Sequence, residues 1–380
     1  MSRLSEMIKK LCPNGVEYKR LGEVCEILRG ERVTKKDLIE DGEYEVISGG
    51  VGALGRYNRF NRLGGTVTIA QYGTAGYVAW RDKSFWANDV CYSIMPLPGV
   101  NARYLYYLLT SNQSAIYAKV IKDAIPWHLP QKELAKLIIP LPPLEIQCEI
   151  VQILDNFANL TAELTAELTA ELAKRKKQYE HYRDMLLNFE GGGRYDNVSS
   201  KIEWKKLGEI CEIGTGSSNT DEQLEKGAYP FFVRSQEVRW KNEFEYDETA
   251  IITSGDGVGV GKIFHFYEGK YALHQRAYRI HVVSDKFLPK YVFYYMKNGF
   301  LKYIERNAFQ SSVTSIRRPM LLNFQLPLIS LAEQKRIVAI LDRFDALCNS
   351  LSEGLPAEIE LRKKQYEYYR DKLLSFKEAG

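Results

Sequence analysis

Two stretches of the chain place apolar residues at alternating steps of three and four positions. They cover residues 150–189 and residues 331–376. This spacing is sustained over about 40 residues, with Glu and Lys in the intervening positions, so it predicts long helices that each pack along another helix. The second stretch is interrupted near Gly354 and Pro356, where we expect a break.

The segments that precede these helices carry a different pattern. Across residues 16–143 and 203–331, short apolar runs alternate with glycines, which predicts strands joined by turns. The predicted strands lie at 46–47, 66–70, 77–80, 90–94, 250–253, 262–266 and 277–280. Helical spacing is predicted at residues 2–11, 102–118 and 289–303. Both segments are therefore predicted to be α+β domains.

The chain repeats itself. Residues 147–189 recur almost intact at 334–376, and residues 19–27 recur at 205–213. The stretches between these echoes have nearly equal lengths but barely match in sequence. A repeated framework with divergent inserts of equal size predicts a scaffold that presents two different binding domains.

The repeat divides the chain into five predicted segments. They are an N-terminal helix over 1–15, a first domain over 16–143, a central long helix over 144–190, a second domain over 195–330 and a C-terminal long helix over 331–376. We expect an α+β fold with a pseudo-two-fold internal repeat, in which two long helices separate the two α/β domains and form an antiparallel coiled coil.

Composition adds few constraints. The 380 residues are 45% hydrophobic and carry a net charge of +4, which permits contact with a polyanion but does not require it. The six cysteines form no CxxC pair and have no histidine at ligand spacing, so we expect no zinc site and no other metal or cofactor. No apolar segment predicts a membrane span or a signal sequence, and we expect a cytoplasmic protein with reduced thiols.

Two further motifs suggest a family. The central helix opens with Pro-Leu-Pro-Pro-Leu-Glu-x-Gln at residues 140–147 and contains three Thr-Ala-Glu-Leu units at residues 161–172. Together with the duplication, these features closely resemble the DNA-specificity subunit of type I restriction-modification systems. The resemblance implies that each variable domain is a target-recognition domain for one half of a split, asymmetric site on double-stranded DNA. It also implies docking of two methyltransferase subunits that modify adenine, addition of endonuclease and translocase subunits, and no catalysis by this chain.

The motifs of catalytic proteins are missing from the sequence. It has no Asn/Asp-Pro-Pro-Tyr/Phe motif for base methylation, no GxGxxG after a strand and no HExxH. Residues 255–262 are glycine-rich, but a nucleotide-binding phosphate loop would need Gly in place of Asp256 and Ser or Thr in place of Ile263. We therefore interpret that segment as a turn near a DNA backbone.

DNA readout requires polar side chains that contact base edges or phosphates. We expect these side chains in equivalent loops of the two domains, where Asn88 and Asp89 correspond to His274 and Gln275. The candidates in the first domain are Arg56, Arg59, Arg62, Gln71, Tyr72, Thr74, Asn88, Asp89, Trp127 and His128. The candidates in the second domain are Ser254, Asp256, His274, Gln275, Arg276, Gln310, Ser311, Thr314 and Arg317.

The long helices carry the remaining candidates. Leu164, Leu168 and Leu172 belong to an apolar stripe over residues 160–172 that we expect to face residues 347–359 and to act as a spacer between the domains. Tyr179, Tyr182, Tyr366 and Tyr369 are predicted to extend the surface towards the methyltransferase. The basic runs at 174–177 and 362–364 lie within helical periodicity, so we assign them to helix contacts or a solvated face rather than to DNA.

Three alternatives remain open on the sequence alone. The chain could be a self-contained nuclease or methyltransferase, which the missing motifs argue against. It could be a two-headed protein-binding adaptor that never contacts nucleic acid. The Thr-Ala-Glu-Leu tract could also be a helix-forming filler rather than a spacer.

Overall fold

The computed structural model describes residues 3–123, 125–189, 202–307, 315–350 and 354–379. The chain divides into two compact units. Unit 1 comprises Met1–Glu167 and Ile359–Gly380, and unit 2 comprises Leu168–Glu358. Both ends of the sequence therefore belong to unit 1, and the long central helix contributes to both units.

Unit 1 is built from three small sheets and the helices packed on them. Its strands are β1 (Tyr18–Arg20), β2 (Cys25–Arg29), β3 (Tyr44–Ile47), β4 (Ala53–Tyr57), β5 (Thr66–Ala70), β6 (Val78–Arg81), β7 (Phe85–Ala87), β8 (Cys91–Pro96) and β9 (Ile138–Pro140). Its helices are α1 (Arg3–Leu11), α2 (Leu21–Val24), α3 (Ala102–Ser111), α4 (Gln113–Tyr117), α5 (Gln131–Ala135) and the start of α6 (Leu144–Leu187). The strand orders are β2-β8-β5-β6, β4-β3-β7 and β1-β9.

Unit 2 repeats this plan with longer strands. Its strands are β10 (Glu203–Lys206), β11 (Cys211–Thr215), β12 (Tyr229–Phe232), β13 (Arg239–Lys241), β14 (Tyr246–Ser254), β15 (Phe264–Leu273), β16 (Ala277–Val282) and β17 (Gln325–Leu328). Its helices are α7 (Leu207–Ile210), α8 (Pro289–Asn307), α9 (Arg318–Asn323) and α10 (Leu331–Asn349), and α11 (Leu355–Leu373) comes next in the chain. A short 3-10 turn covers Thr220–Glu222.

The two units share one topology. The six-stranded sheet of unit 2 has the order β11-β16-β14-β15-β12-β13. The long strand β15 takes the place of both β6 and β7 of unit 1, and the other strands then correspond one to one. The parallel pairing also recurs, since β12 runs parallel to β15 as β3 runs parallel to β7. The predicted duplication of an α+β framework is therefore confirmed.

A buried glutamine ties the start of the long helix to unit 1. Gln147 is fully buried, and its Nε2 donates to the carbonyl oxygens of Pro142 (2.8 Å) and Gly99 (3.1 Å). Its Oε1 accepts the backbone N–H of Asn101 at 2.8 Å. A buried amide without partners is costly, so these three bonds fix α6 against the loop that leads into α3.

Unit 2 repeats this arrangement 187 positions later in the sequence. Gln334 is fully buried and donates to the carbonyl oxygens of Lys286 (2.8 Å) and Ile329 (2.9 Å), while its Oε1 accepts the N–H of Leu288 at 2.8 Å. The recurrence of every bond shows that this network is part of the duplicated framework.

A second contact recurs about two helical turns further along each long helix. In unit 1 the hydroxyl of Tyr107 and the guanidinium of Arg103 both bond to Asp155. In unit 2 the hydroxyl of Tyr294 donates to Asp342 at 2.6 Å, and the ammonium of Lys290 lies 3.0 Å from the same carboxylate. Each long helix is therefore held to the preceding domain helix by a buried tyrosine and a cation.

In each unit, α6 pairs with a C-terminal helix. In unit 1, Phe157 lies 5.7 Å from the rings of both Tyr366 and Tyr369 of α11. In unit 2, the rings of Tyr179 and Tyr182 lie 6.0 and 5.6 Å from that of Phe344 in α10. The fold class predicted from the repeat is confirmed, including the break, because the described residues place one helix end at Asn349 and the next helix start at Leu355.

One part of the predicted stripe is wrong. Leu160 is 62% exposed, so it contributes little to the helix contact. Leu164, Leu168 and Leu172 are half-buried, and Leu172 packs against the core of unit 2. The stripe therefore begins one helical turn later than its periodicity indicated.

The glutamine network can be tested by replacing Gln147 or Gln334 with Leu. Each change keeps the approximate side-chain volume but leaves backbone groups without hydrogen-bond partners. Each such group that water does not reach destabilises the fold by about 1–3 kcal/mol. We expect a lower free energy of unfolding in urea and faster hydrogen exchange at the amide of Asn101 or Leu288. Gln152→Leu, at an exposed position of α6, is the control for both variants. Equal losses in control and test variants would contradict a structural role for the network.

The helix stripe can be tested by replacing Leu164 and Leu168 together with Asp. The double change removes two half-buried leucines, worth at least about 1.5–3 kcal/mol in total, and places charges in their contacts. We expect a loss of stability of that size or more in chemical denaturation. Leu160→Asp serves as the matched control and should change stability by no more than about 0.5 kcal/mol. If the double variant were as stable as the control, the stripe would be wrongly placed.

Candidate nucleic-acid interface

The predicted loops of unit 1 lie together at one edge of the sheet. After β5, the N–H of Gln71 donates to the carbonyl of Val90 (2.9 Å), and the carbonyl of Gln71 accepts the N–H of Leu129 (2.9 Å). The ring of Tyr72 stacks on that of His128 at 5.7 Å. Three segments that are distant in the sequence therefore form one surface.

Unit 2 brings the corresponding segments together with the same backbone bonds. After β14, the N–H of Gly255 donates to the carbonyl of Arg276 (2.9 Å), and the carbonyl of Gly255 accepts the N–H of Ile316 (2.7 Å). A backbone bridge pairs Asp256 with Ser315, as another pairs Tyr72 with His128 in unit 1. Asp256 thus occupies the position of Tyr72.

Both loops turn at a glycine with a left-handed backbone. Gly73 has φ +71° and Gly257 has φ +79°, and each lies directly after the variable position. A residue with a Cβ is strained in this conformation, so glycine keeps the turn the same while the preceding side chain differs.

The loops before β8 and β16 also correspond. Asn88 donates its N–H to the carbonyl of Ile47 (2.8 Å), and His274 donates its N–H to the carbonyl of Phe232 (3.0 Å). The sequence-based pairing of Asn88 with His274 therefore matches the backbone. The structure extends it to Val90, which corresponds to Arg276.

Several predicted DNA-contacting residues hold the loops instead of facing solvent. Asn88 is buried, and its amide bonds to the N–H (3.1 Å) and carbonyl (3.0 Å) of Val33 and to the N–H of Asp89 (2.8 Å). Ser254 is buried and donates to the carbonyl of Asp256 at 2.7 Å. Both side chains are therefore bonded inside the unit rather than presented at its surface.

Gln71 and His274 are buried as well. His274 Nδ1 accepts the N–H of Arg276 at 3.0 Å. Burial and the nearby guanidinium of Arg234 lower the pKa of His274, so its imidazole is neutral at pH 7. We interpret this histidine as a support for the loop that carries Arg276.

The arginines of the first domain divide into two groups. Arg56 donates to the carbonyls of Gly42 and Glu43, and Arg62 donates to those of Asn61 and Arg29, so both guanidinium groups brace loops. Arg59 is exposed, and its contact with DNA stays a prediction.

Two further candidates of unit 1 line a cavity of about 320 Å³, whereas the half-buried Asp89 does not. Thr74 and Trp127 line it, and Thr74 also donates to the carbonyl of Gly49 at 2.9 Å. Trp127 is 53% exposed, with the ammonium of Lys122 lying 5.7 Å from its ring centre. The predicted Trp127 is thus available for contact with a ligand.

In unit 2, the exposed Gln275 donates its amide to Asn219. Arg317 is exposed and comes directly after Ile316, which bonds to the loop after β14. Gln310, Ser311 and Thr314 lie outside the described residues. Arg234 was not among the predicted residues, although the structure places it 2.8 Å from Asp256.

The predicted partner-binding tyrosines also need correction. Tyr179 is buried in the core of unit 2, and Tyr182 stacks on Phe344. Tyr366 and Tyr369 pack on Phe157 in unit 1, although Tyr369 keeps an exposed face. These rings therefore pack within this chain, and a contact with the methyltransferase stays a prediction for the exposed face of Tyr369.

Among the described residues, no group of three or more His, Cys, Asp or Glu side chains is arranged to hold a metal ion. Within the same ranges, no helix is both long and apolar enough to cross a bilayer. All six cysteines are free. Burial raises the pKa of the Cys25 and Cys211 thiols to about 12, which agrees with their role as apolar core residues at matched positions.

Comparisons with known proteins agree with this architecture. A family model described as the type I restriction modification DNA specificity domain matches residues 13–174 and again residues 200–361. The chain is 33% identical over 423 aligned positions to the EcoR124I/EcoR124II type I restriction enzyme specificity subunit of Escherichia coli, and the alignment covers 99% of this chain and 98% of that protein.

Solved structures share the fold at low identity. One, from a study of complex assembly and conformational transition of a type I restriction-modification system, has a TM-score of 0.65 at 18% identity and covers 95% of this chain and 98% of its own. The type I specificity subunit of Mycoplasma genitalium has a TM-score of 0.53 at 20% identity and covers 95% and 96%. The duplicated family match and the near full-length relative place the chain in a family: it belongs to the type I restriction-modification DNA specificity subunits.

Proposed function

We propose that units 1 and 2 each recognise one half of an asymmetric, bipartite site on double-stranded DNA. The observation that carries this proposal is the matched loop edge. The same backbone bonds recur in both units, whereas the side chains presented there differ, with Tyr72 and His128 in one and Asp256 and Arg276 in the other. A constant frame with different side chains is what two different half-sites require.

The proposed partners derive from the family. Two methyltransferase subunits that modify adenine would dock on the chain, and endonuclease and translocase subunits would join for cleavage. The chain itself would carry no catalytic step, which its lack of methylation and nucleotide-binding motifs supports. Family membership favours this proposal over a two-headed protein adaptor.

The domain boundaries drawn from the sequence remain our proposal for the exchangeable parts. Residues 16–143 and 195–330 would form the two target-recognition domains, residues 144–190 and 331–376 the long helices, and residues 1–15 an N-terminal helix. The buried contacts of Gln147 and Gln334 lie at the junctions of these parts, so an exchanged domain must supply the same backbone partners.

The modular arrangement can be tested by exchanging residues 16–143 for the corresponding domain of another specificity subunit. We expect one half of the methylated sequence to change and the other half to stay the same, because each unit has its own core. Sequencing of methylated bases in cells that co-express the chain with its methyltransferase would measure this. The reciprocal exchange of residues 195–330 is the control and should alter the other half. A change in both halves after one exchange would rule out independent domains.

The spacer role can be tested by deleting residues 169–172, one Thr-Ala-Glu-Leu unit. The deletion shortens a helix by roughly 6 Å and rotates the remainder of that helix by about 40° beyond a full turn. One base pair of DNA rises about 3.4 Å and turns about 34–36°. The shortening of the helix matches the rise of nearly two base pairs, whereas its rotation matches the twist of one base pair. We favour rotation, because a domain on the wrong face of the duplex loses its groove, whereas tilt and bending absorb a few ångströms.

We therefore expect both half-sites to be retained and the undefined spacer between them to shorten by one base pair. Methylated-base sequencing measures the spacer directly. A Thr165→Ala, Thr169→Ala variant keeps the helix length and serves as the control, with no expected change in spacing. An unaltered spacer after the deletion would make the tract a filler.

A further inference from the structure

Unit 2 presents a carboxylate between two arginines at the loop edge described above. Asp256 Oδ1 accepts from Arg234 Nη1 at 2.8 Å, and Asp256 Oδ2 accepts from Arg276 Nη1 at 3.2 Å. The two arginines come from different segments, one after β12 and the other before β16. The carboxylate thus joins three loops at one point.

Hydrogen bonds hold the backbone of both Arg276 and Asp256. The N–H of Arg276 donates to His274 Nδ1 at 3.0 Å, and its carbonyl accepts from Gly255 at 2.9 Å. The carbonyl of Asp256 accepts from the buried hydroxyl of Ser254. Since both side chains start from held positions and meet through an ion pair, the guanidinium of Arg276 is more restricted than that of a lone surface arginine.

The charge state of the carboxylate suits this role. Burial raises the pKa of Asp256, but the hydrogen bonds and charges of Arg234 and Arg276 outweigh it and keep the pKa below its ordinary value. The carboxylate is therefore ionised at neutral pH. The three residues together carry one net positive charge, which suits an approach to DNA.

The arginines also keep donors for a ligand. The side chain of Arg276 is 61% exposed and that of Arg234 is 41% exposed, while Asp256 between them is 26% exposed. A guanidinium has five N–H donors, and the bond to Asp256 uses one of those of Arg276. Among base edges in the major groove, guanine presents two neighbouring acceptors, N7 and O6, which fit such a fork.

Unit 1 holds different chemistry at the matched positions. Tyr72 replaces Asp256, Val90 replaces Arg276, and Gly49 replaces Arg234, because Ile47 and Phe232 accept equivalent backbone bonds two residues earlier. Unit 1 thus lacks this carboxylate-arginine arrangement at its matched edge. Any base preference that arises from it should appear in one half of the target only.

We propose that Arg276 recognises a guanine in the half-site contacted by unit 2, with Asp256 as the residue that positions it and Arg234 as the second anchor of Asp256. This inference rests on the proposed function. It goes further by naming a base, a half-site and the groups responsible. A contact of Arg276 with phosphate alone is the competing possibility, and it would weaken binding to every sequence alike.

The test uses the full-length chain assembled with its methyltransferase subunit. Wild type, Arg276→Ala and Asp256→Asn are compared by sequencing of methylated bases and by binding to duplexes that differ at each position of the two half-sites. For Arg276→Ala we expect discrimination at one G·C pair of one half-site to fall by about 5- to 150-fold, the range for loss of a bidentate contact. Discrimination in the other half-site should not change.

Asp256→Asn separates positioning from charge. The substitution keeps the shape of the side chain but adds one unit of positive charge to the interface, so charge alone would strengthen binding to all DNA. Loss of positioning instead predicts weaker discrimination at the same G·C pair while binding to random duplex is retained or increased. Unchanged discrimination in Asp256→Asn would overturn the positioning role.

Two control variants complete the design. Lys286→Ala removes a positive charge beyond the opposite end of β16 and should leave discrimination intact. Tyr72→Ala changes the matched position of unit 1 and should affect only the other half-site. A uniform loss across sequences for Arg276→Ala, or no loss, would overturn the inference while leaving the proposed function in place. Absence of any sequence-specific methylation by wild type would overturn the proposed function and this inference with it.

Discussion

The architecture depends on a side-chain amide that is excluded from water. Gln147 and Gln334 are each fully buried where a long helix begins, and each must satisfy its donors and acceptor within its unit. All partners are backbone groups, and two of the three for each glutamine precede α3 or α8, so the bonds fix the direction in which the helix leaves the domain without depending on neighbouring side chains. A domain can then diverge widely and still present its loops from the same position on the helix.

This constraint explains which positions differ between the units. The backbone hydrogen bonds at the loop edge recur between matched donors and acceptors, because a buried backbone group without a partner lowers the stability of the fold. The exposed side chains on that backbone have no such requirement. Tyr72 stacked on His128 and Asp256 paired with two arginines are therefore alternative solutions on one frame. The two units thus share one backbone framework, and a few exposed side chains make their surfaces different.

Periodicity predicted much of the framework and little of the chemistry. Strand β5 was predicted with its correct ends because all five of its residues are buried, whereas β14 begins four residues before its predicted start, where the pattern is only half-buried.

The amide of Asn88 bonds to Val33, 55 positions away, and the local sequence contains no sign of that partner. Arg234 meets Asp256 through the placement of β12 beside β15, a parallel pairing that hydrophobic spacing does not reveal. The aromatic stripe of the long helices predicts an apolar contact, but it does not show whether this chain or another protein provides that contact.

The position of the Thr-Ala-Glu-Leu tract reflects the same separation of framework and variable parts. The division between the two units falls at Glu167 and Leu168, in the middle of residues 161–172. The aromatic contacts of α6 lie on either side, at Phe157 in unit 1 and at Tyr179 in unit 2. Three of the four residues in each unit of the tract, Ala, Glu and Leu, have strong helix propensity, so a change in its length preserves the helix and leaves each set of aromatic contacts within its own unit. A four-residue unit also returns the apolar position to nearly the same face of the helix, because 3.6 residues make one turn. Length can therefore change at this point with less disturbance of packing than at the aromatic contacts on either side.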